Sequence, residues 1–367
     1  MKNKLIFCSL IILTIFACTK KSFIIDIEML NANGKTAYLQ RIIDNKTINI
    51  DSCLIENNKA VFNVDINDNN DAYHIFIKGW RRALPFFADN QNVIIKGDFN
   101  VYHKINVITD SKTHLSYEIF NKKYNEYNLN LDEINEKIKK AKNSNATDEV
   151  NSLDELYKKI ENEQKVFIRN QICDNPSDVL SPFILYRYKW AFDLDELREI
   201  TKKFSPELST GYLGLVNDYI KMLERTEVGK PYLDFTLNNI EDKPITLSSI
   251  IGRHKIVMID FWASWCPDCR VENPNIVSVY NDFHEKGLEI ISVSLDTDKN
   301  AWIKGINDDG LYWDNHVSDL KGWNCAASTE YGVAFIPQNV LVNENGIIIA
   351  KNLNGDELRL FIEKYLE

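Results

Sequence analysis

The chain has 367 residues, of which 44% are hydrophobic and 26% carry a charge. This length suits two or three domains, and the composition excludes long disordered or low-complexity stretches. Lys and Arg number 43 against 53 Asp and Glu, which gives a formal net charge of −10. A nucleic acid is therefore not expected as a partner, because phosphate binding depends on a cationic surface.

Residues 1–17 are predicted to be a signal peptide of the lipoprotein type. Two lysines precede an apolar run over residues 5–17, which is shorter than the ~20 residues that span a bilayer. The run closes with the letters IFAC at Cys18, which resemble the lipobox of bacterial lipoproteins, although Phe16 stands where a small residue is usual. The resemblance implies a lipid anchor on Cys18; an uncleaved N-terminal anchor is the alternative. Either way, we expect a membrane-anchored protein of the periplasm or cell envelope.

Residues 19–110 are predicted to form a small antiparallel β domain. Segments rich in Ile, Val, Tyr and Phe alternate with turn signals such as Asn33-Gly34. No cluster of His, Cys or paired acids accompanies them, so we expect recognition, spacing or dimerisation here rather than catalysis. The predicted strands are residues 23–29, 36–43, 60–66, 73–78 and 93–96.

Residues 111–225 change to a helical period and are predicted to form a helical insert. Ser181-Pro182 and Ser205-Pro206 are typical helix starts, with Ser as N-cap and Pro as the first helical residue. The charge-rich faces are expected to be solvated helix surface. Apolar residues recur at three- and four-residue steps at Leu115, Ile119, Tyr124, Tyr127, Leu131, Ile134 and Ile138, and again at Val150, Leu153, Tyr157 and Ile160.

Residues 226–367 alternate strands with helices, which predicts an α/β domain whose central sheet is covered on both faces. The expected strands are residues 255–261, 288–295, 338–342 and 347–351, and the expected helices are residues 267–286, 300–306 and 356–365.

One pair of cysteines in this last region needs a chemical explanation. Cys266 and Cys269 lie where a buried strand gives way to a helix. Unpaired N–H groups and the macrodipole at a helix N-terminus stabilise an anion, so the pKa of the Cys266 thiol is expected to fall below the ordinary ~8.5. Cys269, one turn later, is expected to point inward as a shielded resolving partner to an exposed nucleophile. A C-x-x-C in this setting is a redox motif.

Two other uses of the cysteines are less consistent with the sequence. Structural zinc needs four ligands, and beyond this pair the region offers Cys325 and isolated histidines, so no metal is expected. A static disulfide is disfavoured because so short a loop constrains the unfolded chain little. Cys53, Cys173 and Cys325 are expected to be structural, with a third redox thiol at Cys325 as the alternative.

The segment MIDFWASWCPDCR, residues 258–270, resembles the active site of thioredoxin. Together with Glu272, Pro274, the lead-in VGKPYLDFTL at residues 228–237, and Tyr331-Gly332-Val333 before Ile336-Pro337, it resembles the TlpA/ResA branch of exported, AhpC/TSA-related proteins in its lipoprotein form. The resemblance implies an α/β thioredoxin fold for residues 226–367, preceded by the β domain and the helical insert.

The resemblance also implies a mechanism. Cys266 attacks a substrate disulfide, and Cys269 resolves the mixed disulfide, so that the two cysteines form the redox-active disulfide. The expected activity is that of a reductase of periplasmic protein disulfides that needs no cofactor and is re-reduced by a membrane electron donor. Cytochrome c biogenesis is the family's best-known setting. Asp268, between the cysteines, departs from the commoner Gly-Pro or Pro-Pro, and its charge is expected to make the couple less oxidising.

The resemblance assigns five further residues to the site. Pro337 is implied to be a cis-proline that holds the Ile336 backbone for pairing with an extended substrate segment, and Trp265 offers substrates a flat apolar surface. Two carboxylates are candidates for the proton shuttle. Asp260, inside an apolar strand, ranks first, because burial raises a carboxyl pKa towards neutrality. Glu272 ranks second, since a helix dipole alone favours an acid in the first turns.

Two alternative functions remain open. A peroxiredoxin-like peroxidase is disfavoured because Ala263 and Ile259 stand where that enzyme carries Thr or Ser and Pro before its peroxidatic cysteine. The second alternative is a surface binding lipoprotein whose thioredoxin domain is not catalytic. Activity that survives Cys266→Ser would favour it.

Overall fold

A computed structural model describes residues 22–66, 71–144, 146–205 and 211–367. The predicted signal peptide, Cys18 and the Pro206 helix start lie outside the described residues. The chain divides into two compact units, one formed by residues up to 166 with 177–183, and the other by residues 167–176 with 184–367. The predicted domain boundaries at 110 and 225 stay predictions. In the part of the chain that is described, no helix is both long and apolar enough to cross a membrane.

The first unit begins with eight described strands that form two four-stranded sheets, in the orders β4-β1-β7-β8 and β3-β2-β5-β6. The antiparallel prediction is confirmed, with one parallel pairing between β1 and β7. The strands are β1 (Ser22–Leu30), β2 (Thr36–Ile43), β3 (Lys46–Leu54), β4 (Lys59–Asp65), β5 (Tyr73–Ile77), β6 (Leu84–Phe86), β7 (Val93–Asp98) and β8 (Asn106–Thr109).

Alternation of side chains along β1 builds the core of this unit. Phe23, Ile25, Ile27 and Met29 are buried, while the residues between them face outward or are half-buried. Strand β3 was not predicted, because nearly all of its side chains are exposed and it lacks a buried face. Its backbone pairs with β2 all the same.

Two long helices follow, α1 (Lys112–Asn143) and α2 (Thr147–Cys173). Ser111 caps α1, since its hydroxyl accepts a hydrogen bond from the His114 N–H at 2.9 Å. The predicted buried face of α1 is wrong over its first two turns, where Leu115 and Ile119 are exposed. Tyr117 and Phe120 are buried instead, and Tyr117 packs edge-on against Phe87. From Leu131 onward the predicted face is buried.

The elements that follow are α3 (Leu180–Tyr188), α4 (Leu194–Thr201), α5 (Tyr212–Arg225), β9 (Thr236–Asn239), β10 (Pro244–Thr246), β11 (Ile256–Trp262), α6 (Pro267–Phe283), β12 (Leu288–Ser294), α7 (Lys299–Asp309), β13 (His316–Ser318), α8 (Ala326–Tyr331), β14 (Gln338–Asn343), β15 (Ile348–Lys351) and α9 (Gly355–Leu366). Helix α3 starts at Leu180, so Ser181 lies inside its first turn and is not the predicted N-cap.

Among these described elements, seven strands form one sheet in the order β10-β9-β13-β12-β11-β14-β15. Strands β11 and β12 run parallel, and every residue of both is buried, which shows that the sheet is covered on both faces. The predicted α/β thioredoxin fold is confirmed. The carboxyl end of β11, an interior strand of the sheet, leads directly into α6 at the edge where such folds place their sites.

Candidate active site

The two cysteines lie at the start of α6 and form a disulfide. Cys266 is the N-cap, with extended backbone angles, and its Sγ accepts a hydrogen bond from the Cys269 N–H at 3.1 Å. Pro267 occupies the first helical position, where its missing N–H costs no hydrogen bond. The helix N-terminus therefore directs a backbone donor at the first sulfur, an arrangement that favours negative charge there once the disulfide is reduced.

The two sulfurs differ in exposure, but less than predicted. Cys266 retains 4% of its surface exposed and Cys269 none. Cys266 is more covered than the expected exposed nucleophile, because the loop that carries Ile336 lies against it. Of the pair, Cys266 alone reaches the surface, so a substrate sulfur can approach only that residue.

Ile336 and Pro337 form the cover over Cys266. Their peptide bond is cis, and the Ile336 carbonyl oxygen lies 3.7 Å from Cys266 Sγ. The loop starts after α8, where Gly332 adopts a left-handed conformation with φ of 70° that favours glycine. A carbonyl this close to the sulfur lies where a reduced Cys266 thiol can donate to it, and beside any substrate bonded to Cys266.

Trp265 lies on the surface next to Cys266, with about half of its side chain exposed. Its ring centroid is 6.0 Å from that of Trp323, which is equally exposed and was not predicted to be part of the site. Two neighbouring exposed indoles form an apolar surface beside the disulfide, of the kind that contacts partner proteins.

Asp260 is buried in the middle of β11, at 2% exposure. Its Oδ2 accepts a hydrogen bond from the Ser292 hydroxyl at 2.9 Å, and Ser292 Oγ in turn accepts from Trp313 Nε1 at 3.0 Å. Burial raises the pKa of Asp260 to about 7, an effect that the Ser292 hydrogen bond opposes and the nearby Glu272 charge reinforces. A carboxyl group with this pKa exchanges a proton near neutral pH.

Glu272 has a different set of contacts. Its Oε1 accepts hydrogen bonds from the Gly355 N–H and from Asn275 Nδ2, both at 2.8 Å. Gly355 is the first residue of α9, so the carboxylate ties two helices together at the positive end of α9. Its charge acts on Asp260 through space.

The residues that hold the loop before Cys266 are not among those predicted from the sequence. Asp296 accepts from the Ser264 hydroxyl at 2.6 Å, from the Ser264 N–H at 3.0 Å and from the Ser294 hydroxyl at 2.7 Å. Asp296 follows the carboxyl end of β12, the neighbour of β11. Because the ends of parallel strands meet at one sheet edge, this position was a signal that could have been used.

The other cysteines of the described residues are not part of the disulfide. Cys53, Cys173 and Cys325 are free, and burial raises the pKa of the Cys325 thiol. In the described ranges, no group of three or more His, Cys, Asp or Glu residues could hold a metal ion.

A thioredoxin-like sheet with a C-x-x-C disulfide at a helix start defines the class of thiol–disulfide oxidoreductases. Residues 228–351 match a family model described as the AhpC/TSA family, and residues 23–117 match one described as a domain of unknown function, DUF4369.

Curated relatives agree with this class. The thiol–disulfide oxidoreductase ResA of Bacillus anthracis is 30% identical over 144 residues, which are 39% of this chain and 79% of that protein. The thiol:disulfide interchange protein DsbE of Pseudomonas aeruginosa is 29% identical over 33% of this chain and 63% of its own length. Among solved structures, the thioredoxin domain of a thiol–disulfide oxidoreductase from Bacteroides vulgatus is 32% identical and covers 38% of this chain and 99% of its own, with a TM-score of 0.36. The chain belongs to the family of ResA-like thiol–disulfide oxidoreductases.

Proposed function

We propose that this protein is an exported, lipid-anchored reductase of protein disulfides, with Cys266 as nucleophile and Cys269 as resolving thiol. The observation that carries the proposal is the disulfide at the start of α6, whose outer sulfur lies 3.7 Å from the carbonyl that precedes a cis-proline. That placement supports an attack by Cys266 on a substrate sulfur, with the fully buried Cys269 available to resolve the mixed disulfide.

The proposed cycle moves two electrons. The Cys266 thiolate attacks one sulfur of a substrate disulfide, forms a mixed disulfide and releases the first substrate thiolate, which takes up a proton. Cys269 then loses its proton and attacks Cys266 Sγ, which releases the second substrate thiolate and leaves the Cys266–Cys269 disulfide. A membrane electron donor carrying a dithiol returns the pair to the reduced state by the same exchange.

Asp260 is proposed as the base that takes the Cys269 proton. With a pKa raised to about 7 by burial, it is partly ionised at neutral pH and therefore able both to accept and to return a proton. Glu272 ranks second, because its Oε1 is already engaged by the Gly355 N–H and by Asn275. We assign Glu272 to tuning Asp260 through its charge.

Ile336, Pro337 and Trp265 are proposed to bind the substrate chain. The Ile336 carbonyl offers a backbone acceptor beside the sulfur, and the exposed rings of Trp265 and Trp323 offer apolar contact. Protein disulfides of the cell envelope are the proposed substrates, and an anchor on Cys18 is proposed to keep the enzyme at the membrane. Loss of radioactive palmitate incorporation in Cys18→Ser tests the anchor.

Reduction is the direction supported by Asp268. It lies in the first turn of α6, between the two cysteines, and a negative charge there opposes the Cys266 thiolate. A less stable thiolate makes the reduced form a better electron donor.

The decisive experiment combines a measurement of the reduction potential with the capture of mixed disulfides by a Cys269→Ser variant. We expect the reduction potential of the Cys266/Cys269 couple to be closer to that of thioredoxin, about −270 mV, than to that of DsbA, about −120 mV. Cys269→Ser should accumulate mixed disulfides with envelope proteins, since the resolving thiol is gone. A couple that never cycles with dithiothreitol, or a Cys269→Ser variant that traps no more protein than Cys266→Ser, contradicts the proposal.

A further inference from the structure

A cavity of about 460 Å³ lies beside the cis-proline loop and has no role in the cycle above. Phe335, just before Ile336, and Gln338, just after Pro337, both line it. The Ile336 carbonyl lies 3.7 Å from Cys266 Sγ, so the loop that contacts the disulfide also contributes to the cavity wall. Its volume falls in the range of roughly 300–1,000 Å³ that is typical of ligand sites.

Strands β14 and β15 place two polar side chains together in this cavity. Val340 pairs with Lys351 across the antiparallel ladder, and Gln338 stands two residues before Val340. Side chains two apart on a strand share a face, so Gln338 and Lys351 are diagonal neighbours on one face of the sheet.

Gln338 has an unused hydrogen-bonding group. The residue is 94% buried, at 6% exposure, and in the described parts of the chain its Oε1 has no hydrogen-bond partner. A buried acceptor left unpaired is unfavourable, and an N–H from a bound molecule removes that cost. A main-chain amide supplies such a donor.

Lys351 supplies the complementary charge. Its Nζ donates to Thr226 Oγ1 at 3.0 Å, and burial lowers its pKa to about 8, which leaves it mainly protonated at neutral pH. Glu227 acts on this charge through space, yet its carboxylate is itself paired with Arg198 at 3.1 Å. The ammonium has donors left for a ligand that carries a carboxylate.

The other acids of the cavity wall are already engaged. Asp195 pairs with Arg198 at 3.0 Å, and Asp193 caps α4 by accepting from the Glu196 N–H at 2.8 Å. The rim is apolar and open to solvent, with Trp190, Val228 and Phe335 each between 41% and 59% exposed. An amide acceptor, a cation and exposed apolar side chains match the groups of an extended polypeptide with an acidic residue.

We propose that this cavity binds the substrate polypeptide next to its reacting cysteine and selects segments with an acidic side chain. A main-chain N–H of the segment bonds Gln338, its carboxylate pairs with Lys351, and its apolar neighbours contact Trp190 and Phe335. The inference rests on the proposed function, since the segment arrives as part of a disulfide substrate. It adds a specificity that the backbone of the cis-proline loop cannot provide.

The test uses a family of short peptides with one central cysteine in a Ser/Ala background, each joined by a disulfide to 2-nitro-5-thiobenzoate. Reduced Cys266 attacks the peptide sulfur and expels nitrothiobenzoate, the better leaving group, so that the peptide becomes bonded to Cys266. The released nitrothiobenzoate is measured by its absorbance. A single Asp is moved through the four positions on each side of the cysteine, and Asn at the same position is the control. We expect Asp at one or two neighbouring positions to lower KM at least fivefold relative to Asn.

Two variants and one control assign the effect to Lys351. Lys351→Met should bring the Asp-to-Asn ratio of KM close to one, and Lys351→Arg should keep a preference for Asp. Lys364→Met, which removes an exposed lysine of α9, should retain the wild-type ratio. Thermal unfolding of each oxidised variant shows whether it is folded before its ratio is read.

Each outcome decides the matter. A wild-type enzyme with no preference for Asp at any position overturns the inference, as does a preference that survives in folded Lys351→Met. If Lys351→Met does not fold, the Lys351→Arg variant decides the test. A Lys351→Arg enzyme that has lost the preference for Asp overturns the inference. A Lys351→Arg enzyme that keeps the preference seen in the wild type supports the inference. Failure of the wild type to reduce even 5,5′-dithiobis(2-nitrobenzoate), which needs no polypeptide site, overturns the proposed function itself and the inference with it.

Discussion

Strands β1 and β11 each carry an aspartate among apolar residues, and the two aspartates differ in how far they are buried. In β1, buried side chains alternate with exposed or half-buried ones, and Asp26 is half-buried. In β11 both faces are covered, and Asp260 is buried with them. A sheet with one wet face can place a charge anywhere on that face, whereas a sheet covered on both faces can hold a carboxyl group only by keeping it partly protonated or hydrogen-bonded. A carboxyl group that can exchange a proton near neutral pH is therefore expected in a strand such as β11, which is buried on both faces.

The largest expected effect is loss of the nucleophile. Cys266→Ser should lower the rate of insulin disulfide reduction by at least about a thousandfold, because a hydroxyl does not replace a thiolate in disulfide exchange. Cys53→Ser in β3 of the first unit is the matched control and should leave the rate within about twofold, as expected for a thiol outside the site. Equal losses in both variants would remove the distinction between the two units.

Replacement of Asp260 should change both activity and stability. Asp260→Asn should slow resolution of the mixed disulfide about a hundredfold at pH 7, since general bases contribute about 10²–10⁴-fold. Wild-type activity should rise with pH through about 7 as the carboxylate forms, and the variant should lose this rise. Stopped-flow Trp fluorescence measures the step.

The stability effect has a definite sign. The unfolded Asp260 ionises near its ordinary pKa of 3.8, while the folded one stays protonated up to about 7. The free energy of unfolding of the wild type should therefore fall by at most about 4 kcal/mol as pH rises from 3.8 to about 7, and then level off. Oxidised Asp260→Asn should lack this decline in urea unfolding, whereas Asp26→Asn should keep it. An Asp260→Asn variant with the wild-type decline contradicts the assignment.

A smaller effect is expected from the hydrogen bond to Asp260. Ser292→Ala removes the donor that lowers the Asp260 pKa, so the pH profile of resolution should move to higher pH. Activity at pH 7 should fall roughly three- to tenfold, the size expected when one hydrogen bond to a charged group is lost. Ser292→Thr should restore the profile, and Ser52→Ala on exposed β3 should not move it. A merely structural role for Ser292 would lower activity equally at every pH.

The smallest effect is expected at Asp268. Asp268→Asn removes a negative charge from the first turn of α6, which should speed alkylation of reduced Cys266 by iodoacetamide at pH 7 about two- to threefold. The reduction potential should rise with it. Asp148→Asn, which removes an acid from the first turn of α2, is the control. An unchanged rate and potential in Asp268→Asn would leave the proposed direction of electron flow without this support.

Local pattern predicted most of the fold because it reports which faces are buried. The strand of residues 255–261 is found at Ile256–Trp262, and the helix of residues 267–286 is found as α6 with a short 3-10 turn that ends before Gly287. The pattern failed where burial depended on a distant partner. Leu115 and Ile119 recur at helical spacing, but the aromatic contact of Tyr117 with Phe87 decided which face of α1 is buried.

The candidate site divides in the same way. The C-x-x-C motif places both sulfurs one helical turn apart through local geometry alone, so Cys266 and Cys269 were predictable. Ser292 and Trp313 were not, because they join the site from strand β12 and from the segment after α7. Such contacts depend on strand register, which no short motif encodes.

The sequence alone determined the paired cysteines, the helix start that holds them and the acid within an apolar strand, since each depends on residues close together in the chain. Tertiary structure decided how far Cys266 is exposed, which hydroxyl meets Asp260, and that Gln338 and Lys351 share a cavity beside the disulfide. The physical reason is that burial and pKa depend on what packs against a group, and packing brings together residues remote in sequence.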